Sequence, residues 1–273
     1  MPDATEPRPR FEVVRDPRGG ATVVLDGRPQ SYVAPDDPLL LAFEYVQQLA
    51  LVLDALPEGR LAVTHVGGAG LTLPRWVEAT RPGSPQIVLE PDAELTAAVR
   101  RALPLPRGHR IRVRAVDGRT GLTDLADASA DAIVVDAFAD GRVPAELTTL
   151  EAVTAYARVL RPGGVLLLNV TDEPDRRYLA RVLATVCHVL PHLVALTTGD
   201  VAKGRRFGNW VVAASAASLP VDGLRRAVAS APLPTTLLDD AALRGVSRSG
   251  RSLTDADGAR SPAPPVPGRW RVR

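Results

Sequence analysis

A glycine-rich turn and three acidic residues stand at the ends of four successive apolar runs. The first run, residues 61–66, leads into Gly-Gly-Ala-Gly at residues 67–70, and the next three runs are followed by Glu90, Asp117 and Asp136. Small residues in a turn let the backbone approach a ligand closely, and an acid that ends the next strand can accept both hydroxyls of a ribose. The spacing therefore predicts a nucleoside over the turn, with its sugar on Glu90.

The elements that must position these residues are predicted from hydrophobic periodicity. From residue 61 to residue 214, short apolar runs alternate with amphipathic segments, a pattern typical of parallel βαβ units with right-handed crossovers. The link between the last two runs, residues 193–198 and 209–214, is too short for a crossover helix, so these strands are expected to pair antiparallel. The prediction is an α/β fold with a seven-stranded, mostly parallel Rossmann-like sheet of the class I S-adenosylmethionine-dependent type.

The segments outside this alternation are assigned by turn signals and composition. Strand-like runs over residues 11–33 are separated by Asp26-Gly27, a typical hairpin turn, and indicate a small N-terminal β-hairpin domain. The last residues are rich in Ser, Gly, Pro and Arg and have little apolar periodicity, which favours a flexible tail. The predicted organisation is a flexible N-terminus (1–10), the β-hairpin domain (11–35), the α/β core (36–218), a C-terminal helical extension (219–244) and the flexible tail (245–273).

Composition places the chain among ordinary globular proteins. The 273 residues carry a formal net charge of +2, which is too small to suggest a nucleic-acid partner. A single cysteine, Cys187, excludes an internal disulfide, and no apolar run reaches the ~18 residues that indicate a membrane span. Because no apolar signal-peptide region follows the charged start, a cytoplasmic protein without a membrane partner is expected.

Two classes of nucleotide ligand compete for the glycine turn. Nicotinamide dinucleotides require a third small residue where the helix packs on the strand, and Leu73 stands at that place. A sulfonium nucleoside has no pyrophosphate and needs only the close backbone turn. The residues therefore favour S-adenosylmethionine or its decarboxylated form as co-substrate. No metal is expected, because Pro191 interrupts the helix between His188 and His192 and no acid or cysteine completes a ligand set.

With these residues placed, the chain resembles the spermidine synthase family, the polyamine aminopropyltransferases, over residues 21–215. The likeness rests on Leu-Asp-Gly-Arg-Pro-Gln at 25–30 followed by Asp36-Asp37, Val-Gly-Gly-Ala-Gly at 66–70, Glu90, Asp117-Gly118-Arg119, and Asp136 leading into Pro-Ala-Glu-Leu at 144–147. The resemblance implies a transferase of polyamine biosynthesis that moves an aminopropyl group from decarboxylated S-adenosylmethionine to a polyamine. It also implies a homodimer or a homotetramer.

The resemblance further implies roles for the motif residues. The implied cofactor-binding residues are Gln30, Gly67, Gly68, Gly70, Glu90, Asp117 and Gly118. Gln30 and the glycine turn would contact the side-chain end of the nucleoside. Glu90 would hold the ribose, and Asp117 would hold the adenine amino group.

A polyamine acceptor adds a second chemical requirement. Its ammonium groups have a pKa near ~10.4, so at pH 7 only roughly one in 2,500 is the free base. A carboxylate must take that proton, and further acids must bind the distant ammonium group. By the resemblance Asp136 is the catalytic base. Asp140 and Glu146 are candidates for substrate binding, with Asp172 and Glu173 as further candidates.

The acceptor half departs from the family pattern more than the cofactor half. In the glycine turn the only departure is Ala69, where the family usually has an aspartate. After the paired acids, Leu40 and Ala42 stand where the family has a tyrosine and a glutamate, and Tyr45 follows later. The family's second acid after the catalytic one is replaced by Ala139.

Two other functions remain open, as do plainer roles for single residues. A methyltransferase that uses intact S-adenosylmethionine on an already nucleophilic methyl acceptor needs fewer acids, and a non-catalytic nucleoside-binding relative needs none. Asp117 and Asp140 each precede a glycine and therefore also fit turns. Glu146 fits the first turn of a helix, and Asp136 fits a cap after its strand.

Overall fold

The computed structural model of the chain describes residues 10–265, and the strands of this range form two sheets. The strands are β1 (Phe11–Arg15), β2 (Ala21–Leu25), β3 (Arg28–Val33), β4 (Val63–Val66), β5 (Gln86–Leu89), β6 (Ile111–Arg114), β7 (Ala130–Val135), β8 (Leu160–Asp172), β9 (His192–Thr198), β10 (Gly208–Ser215) and β11 (Thr235–Leu238). The helices are α1 (Glu44–Asp54), α2 (Thr72–Thr80), α3 (Ala93–Ala102), α4 (Gly118–Thr123), α5 (Leu150–Val159), α6 (Arg177–Cys187), α7 (Gly199–Ala202), α8 (Val221–Ser230) and α9 (Asp240–Ser247), with 3-10 turns at Ala145–Leu147 and Asp255–Asp257.

The larger sheet has the order β11-β9-β10-β8-β7-β4-β5-β6. Strand β4 pairs in parallel with both β5 and β7, so the carboxyl ends of these three strands meet at one edge of the sheet. Strand β10 runs antiparallel to β8 and to β9, which confirms the antiparallel pairing expected from the short link between the last two runs. The predicted α/β fold with a mostly parallel sheet is therefore confirmed.

Helices cover both faces of the larger sheet, which explains why its central strands are apolar without alternation. One apolar cluster joins the sheet to α5, α6 and α9 and includes the fully buried Tyr156 and Leu183. The other joins the opposite face to α1, α2 and α8 and includes Leu49, Val77 and Leu224. The core is thus two layers of helix packed on a shared sheet.

The predicted N-terminal hairpin unit is a three-stranded antiparallel sheet of β1, β2 and β3. Its buried side chains Ala21, Val23 and Val33 share an apolar cluster with Leu95 and Val99 of α3. The small sheet is therefore docked on the α/β core, beside the turn that follows β4.

The strand count differs from the sequence prediction. Within residues 10–265 the larger sheet has eight strands, because β11 adds to its edge by pairing antiparallel with β9. The sequence predicts a helix that begins at residue 237, but Asp239 caps α9 only from the next residue onward. A strand of four residues is too short for its periodicity to identify it, and its Leu237 packs against the apolar cluster of α1 and α2.

The predicted flexible tail needs correction for the residues that the structure describes. Residues 248–265 pack against the core, where Leu253 is 1% exposed and Ser261 is fully buried. These contacts come from isolated apolar, hydroxyl and acidic side chains, which leave no periodic signal in a segment rich in proline and arginine. The rest of the predicted tail, residues 266–273, and the predicted flexible N-terminus at residues 1–9 lie outside the described range.

The helices of the described range are short. The longest, α1 and α6, have 11 residues each. A helix needs about 20 apolar residues to cross a bilayer, and no helix in residues 10–265 meets the length and hydropathy required.

Candidate active site

A cavity of about 440 Å³ opens at the carboxyl ends of β4, β5 and β7. It lies where ligands bind in open parallel sheets, beyond the strand ends at the point where the strand order reverses. Nine of the ten residues predicted for the site line it. They are Gln30, Gly67, Gly68, Glu90, Asp117, Gly118, Asp136, Asp140 and Glu146. The tenth, Gly70, packs behind the turn.

The glycine turn begins so close to neighbouring backbone that a side chain is excluded at its first residue. Gly67 has φ +86°, and a Cβ there would lie 2.3 Å from the carbonyl oxygen of Asp136. Asp136 in turn donates its backbone N–H to Val66 O over 2.9 Å. The nucleoside turn and the predicted base are therefore in main-chain contact.

The small N-terminal sheet supports the turn from behind. Gly70 donates its N–H to Ser31 Oγ over 3.1 Å, and Thr72 Oγ1 donates to Tyr32 O over 2.9 Å. A Cβ on Gly70 would lie 2.6 Å from Ser31 Cβ. These contacts bring Gln30, which precedes Ser31 on β3, to the cavity wall.

Glu90 is held against the turn by backbone hydrogen bonds. Its Oε2 accepts the N–H of Gly68 over 3.1 Å and that of Ala69 over 3.3 Å, and its Oε1 accepts the N–H of Asp92 over 3.1 Å. Carboxylate oxygens have further lone pairs, so Glu90 can still accept hydroxyl donors from the cavity. The predicted juxtaposition of Glu90 with the glycine turn is present in the structure.

Asp117 combines a turn role with a place in the cavity wall. Its Oδ1 accepts the N–H of Thr120 over 2.9 Å and so caps α4. This backbone bond, together with the Thr120 hydroxyl, holds the pKa of Asp117 below its ordinary value. Behind it, Gly118 packs so tightly that a Cβ would lie 2.2 Å from Val66 Cγ1.

Asp136 lies directly after β7 and is held by two amide side chains in series. Asn169 Nδ2 donates to Asp136 Oδ1 over 2.8 Å, and Asn209 Nδ2 donates to Asn169 Oδ1 over 2.9 Å. Because Asn209 engages the amide oxygen of Asn169, the amide nitrogen of Asn169 faces Asp136. Burial raises the pKa of Asp136 to about 6, and the bond from Asn169 opposes the rise. Asp136 is therefore mainly ionised at pH 7 and can accept a proton.

Tyr45 is a cavity residue that sequence reasoning missed as a functional candidate. It lines the cavity from α1, and burial together with the charge of Asp136 raises its pKa well above the ordinary value. Its hydroxyl therefore stays protonated beside the carboxylate. The sequence shows only that a tyrosine follows the paired acids at residues 36–37 later than in the family pattern, and the preceding Glu44 forms an ion pair with Arg206.

His65 also borders the cavity but is committed to packing. Its Nε2 donates to Gln86 Oε1 over 2.9 Å. The direction follows because the Gln86 amide nitrogen donates to Pro74 O, which leaves the amide oxygen as the acceptor for His65. Burial lowers the pKa of His65 to about 4. It is therefore neutral at pH 7, as expected for a packed and hydrogen-bonded histidine.

The cavity lining is strongly acidic. Seven carboxylates face it, and within residues 10–265 the only lysine or arginine side chains that line it are Arg10 and Arg119. Arg10 is 3.3 Å from Asp92, and Arg119 is 2.8 Å from Asp255. The site is therefore suited to a cationic ligand.

The wall divides into two parts. We call the glycine turn, Glu90 and Asp117 the nucleoside half, after the ligand that the sequence predicts there. Asp136, Asp140 and Glu146, which the sequence predicts to act on the acceptor, line the cavity with Tyr45, and we call these four residues the acceptor half.

The strand order, the reversed β10 and the cleft at the strand ends together define a class I S-adenosylmethionine-dependent methyltransferase-like fold. The structure of human methyltransferase-like protein 13 in complex with SAH shares this fold. It aligns at 22% identity over 78% of this chain and 96% of that chain, with a TM-score of 0.57.

Within this class, the chain is similar to spermidine synthases. A probable spermidine synthase from Corynebacterium glutamicum ATCC 13032 aligns at 28% identity over 90% of this chain and 92% of that chain, with a TM-score of 0.82. A spermidine synthase in complex with the transition state analogue AdoDATO aligns at 19% identity over 78% of this chain and 72% of that chain, with a TM-score of 0.60. No protein-family model and no curated protein matches the sequence. The resemblance expected from the sequence motifs is confirmed by the structural likeness.

Proposed function

We propose that the protein is an aminopropyltransferase that moves the aminopropyl group of decarboxylated S-adenosylmethionine to a polyamine. The observation that carries this proposal is the placement of Asp136 beside the turn that Glu90 braces, in one acidic cavity. The similarity to a probable spermidine synthase over 90% of the chain supports it.

The charge of the lining favours the decarboxylated donor. Decarboxylated S-adenosylmethionine is a sulfonium with a primary ammonium at its end and has no carboxylate. Polyamines are also cations at neutral pH. Within residues 10–265, seven carboxylates line the cavity against two arginines, and each arginine already forms an ion pair with an aspartate, so the lining favours a donor without a carboxylate.

The nucleoside half supplies the contacts that the donor requires. A ribose over the turn meets Glu90, whose carboxylate is already oriented by three backbone N–H groups. Asp117 stands at the next strand end, where it can accept from the adenine amino group. Gln30 and the turn border the side-chain end of the nucleoside.

The acceptor half supplies the base. Asp136 takes a proton from the attacking ammonium, and the freed nitrogen lone pair attacks the aminopropyl carbon bound to sulfur, in line with the carbon–sulfur bond. The new carbon–nitrogen bond forms as the carbon–sulfur bond breaks. The electron pair of the broken carbon–sulfur bond stays on sulfur, which leaves as methylthioadenosine. Tyr45 stays protonated and can orient the amine beside Asp136. Asp140 and Glu146 can bind the distant ammonium group.

Calorimetric titration of four nucleosides tests the proposed function. Decarboxylated S-adenosylmethionine and methylthioadenosine should bind more tightly than S-adenosylmethionine and S-adenosylhomocysteine, because the described lining has seven carboxylates and only two arginines, both ion-paired, so it repels a ligand carboxylate. Preference for the carboxylate-bearing pair would instead indicate a methyltransferase. Tight nucleoside binding without turnover of any diamine or longer polyamine would indicate a non-catalytic relative.

A further inference from the structure

The C-terminal segment, residues 248–265, returns from α9 to the side of the core that carries the acceptor half. Its first anchor is Leu253, whose N–H donates to Thr185 Oγ1 of α6 and whose carbonyl accepts the N–H of Leu150, both over 2.8 Å. Asp255 then accepts from Thr149 Oγ1 over 2.6 Å. The segment is therefore fixed to α6 and to the start of α5 before it reaches the cavity.

Its second anchor is a buried serine. Ser261 is fully buried, and its Oγ accepts the backbone N–H of Val143 over 2.8 Å and the hydroxyl of Thr171 over 3.2 Å. Val143 lies midway between Asp140 and Glu146, the two acids predicted to bind the substrate. Since a buried N–H without a partner is unfavourable, the position of this loop depends on Ser261.

The third contact is at the turn that carries Asp140. Ala139 and Arg142 pair across a tight turn, and its central residues Asp140 and Gly141 both have positive φ, 55° and 73°. This is the backbone of a type I′ turn. A Cβ on Gly141 would lie 2.7 Å from Arg28 Nη1 and 2.8 Å from Pro264 Cγ. The turn is therefore held between the N-terminal sheet and the C-terminal segment.

We propose that the C-terminal segment positions the acceptor half, with Ser261 and Pro264 holding residues 139–146 so that Asp140 and Glu146 face the bound amine. This inference rests on the proposed function for the identity of the ligand. It assigns a role in substrate recognition to Ser261 and Pro264, neither of which lines the cavity. The hydrogen bonds of the Ser261 hydroxyl within residues 10–265 go to Val143 and Thr171, and Pro264 lies against Gly141, all outside the nucleoside half, so donor binding is expected to be independent of Ser261 and Pro264.

The test compares Ser261→Ala with Ser252→Ala in the full chain. Ser252 lies in the same segment, but its hydroxyl contacts His188, and neither residue lines the cavity. In Ser261→Ala, amide hydrogen exchange of residues 139–146 should become about tenfold faster, because Val143 loses its acceptor. The KM for a diamine should rise about tenfold with little change in kcat, since a loosened turn weakens binding and not chemistry. The Kd of methylthioadenosine should not change, and Ser252→Ala should match the parent in every measurement.

A second variant covers the case in which Ser261→Ala fails to fold. Pro264→Ala removes only the ring that touches Gly141 and should raise the KM in the same direction by a smaller factor. Unchanged exchange and KM in both variants would overturn the inference, as would an equal loss of amine and nucleoside binding. If the parent chain binds methylthioadenosine but neither binds nor converts any amine, the proposed function fails. The exchange data then still decide whether the segment fixes the turn.

Discussion

The nucleoside half and the acceptor half of the cavity are built in different ways. The nucleoside half consists of strand ends that follow one another in the chain, and its carboxylate Glu90 is oriented by backbone N–H groups of the adjacent turn. The acceptor half collects Tyr45 from α1, Asp136 from the end of β7, and two acids from a loop that is held by Ser261 near the end of the described chain.

On the proposed function, this difference separates donor binding, which is general to the fold, from the choice of acceptor, which is particular to the protein. Backbone contacts at neighbouring strand ends are available to many sequences of this fold, so they suit a donor shared by many enzymes. Side chains gathered from distant segments can change independently, so they suit the choice of acceptor. Variants that affect one half and spare the other test whether the two halves are as independent as their construction indicates.

The largest expected effect comes from Asp136→Asn. Removing a general base lowers turnover by about 10²- to 10⁴-fold, and we expect about a thousandfold loss of kcat with a diamine. Affinity for methylthioadenosine should be unchanged, because Asp136 faces the acceptor side. Single-turnover assays measure the rate of transfer, and calorimetry measures the affinity for methylthioadenosine. Asp124→Asn, a change of an exposed aspartate, is the control. Undiminished turnover would remove Asp136 from the mechanism.

A smaller effect in the opposite half is expected from Glu90→Gln. Hydrogen bonds to a charged group contribute about 1.5–3 kcal/mol, so replacing the carboxylate should weaken nucleoside binding about ten- to a hundredfold. At saturating donor, kcat should stay near the parent value, since the base is intact. Glu94→Gln, an exposed change at the start of α3, is the matched control. If Glu90→Gln lowered kcat by the same factor as it lowered nucleoside affinity, the nucleoside half and the acceptor half would be coupled.

The smallest effect is a shift in pH dependence. With the pKa of Asp136 raised to about 6, kcat/KM should be constant above this value and fall as the pH decreases through it, because the protonated acid cannot act as a base. Asn169→Ala removes the donor that stabilises the ionised form, so the acid limb should move to higher pH by up to about one unit. Asn209→Ala should shift it in the same direction by less. A limb that stays in place in Asn169→Ala would contradict this role for the amide pair.

The nucleoside half could be predicted from the sequence because each of its features is local. A glycine turn after one apolar run and an acid after the next are visible in single segments, and parallel pairing brings them to one edge. The central strands are likewise legible as continuous apolar runs. The α/β class and the antiparallel pair therefore followed from pattern alone.

The features that the sequence did not reveal depend on contacts between distant segments. Tyr45 reaches the cavity only because α1 packs on β9 and β10, and no spacing in the chain relates it to Asp136. The four residues of β11 become a strand by pairing with β9. Ser261 lies in a stretch whose composition favours disorder, and one buried hydroxyl has no periodic signature.

The main-chain contact between Gly67 and Asp136 has a consequence for how this protein could diversify. Because a side chain at Gly67 would meet the Asp136 carbonyl oxygen, the spacing between the glycine turn and the backbone of Asp136 is set by main-chain packing. On the proposed function, exchange of the C-terminal segment or of residues 139–146 would change the acceptor half while leaving this main-chain contact in place. New acceptor specificities could then arise without change at Asp136.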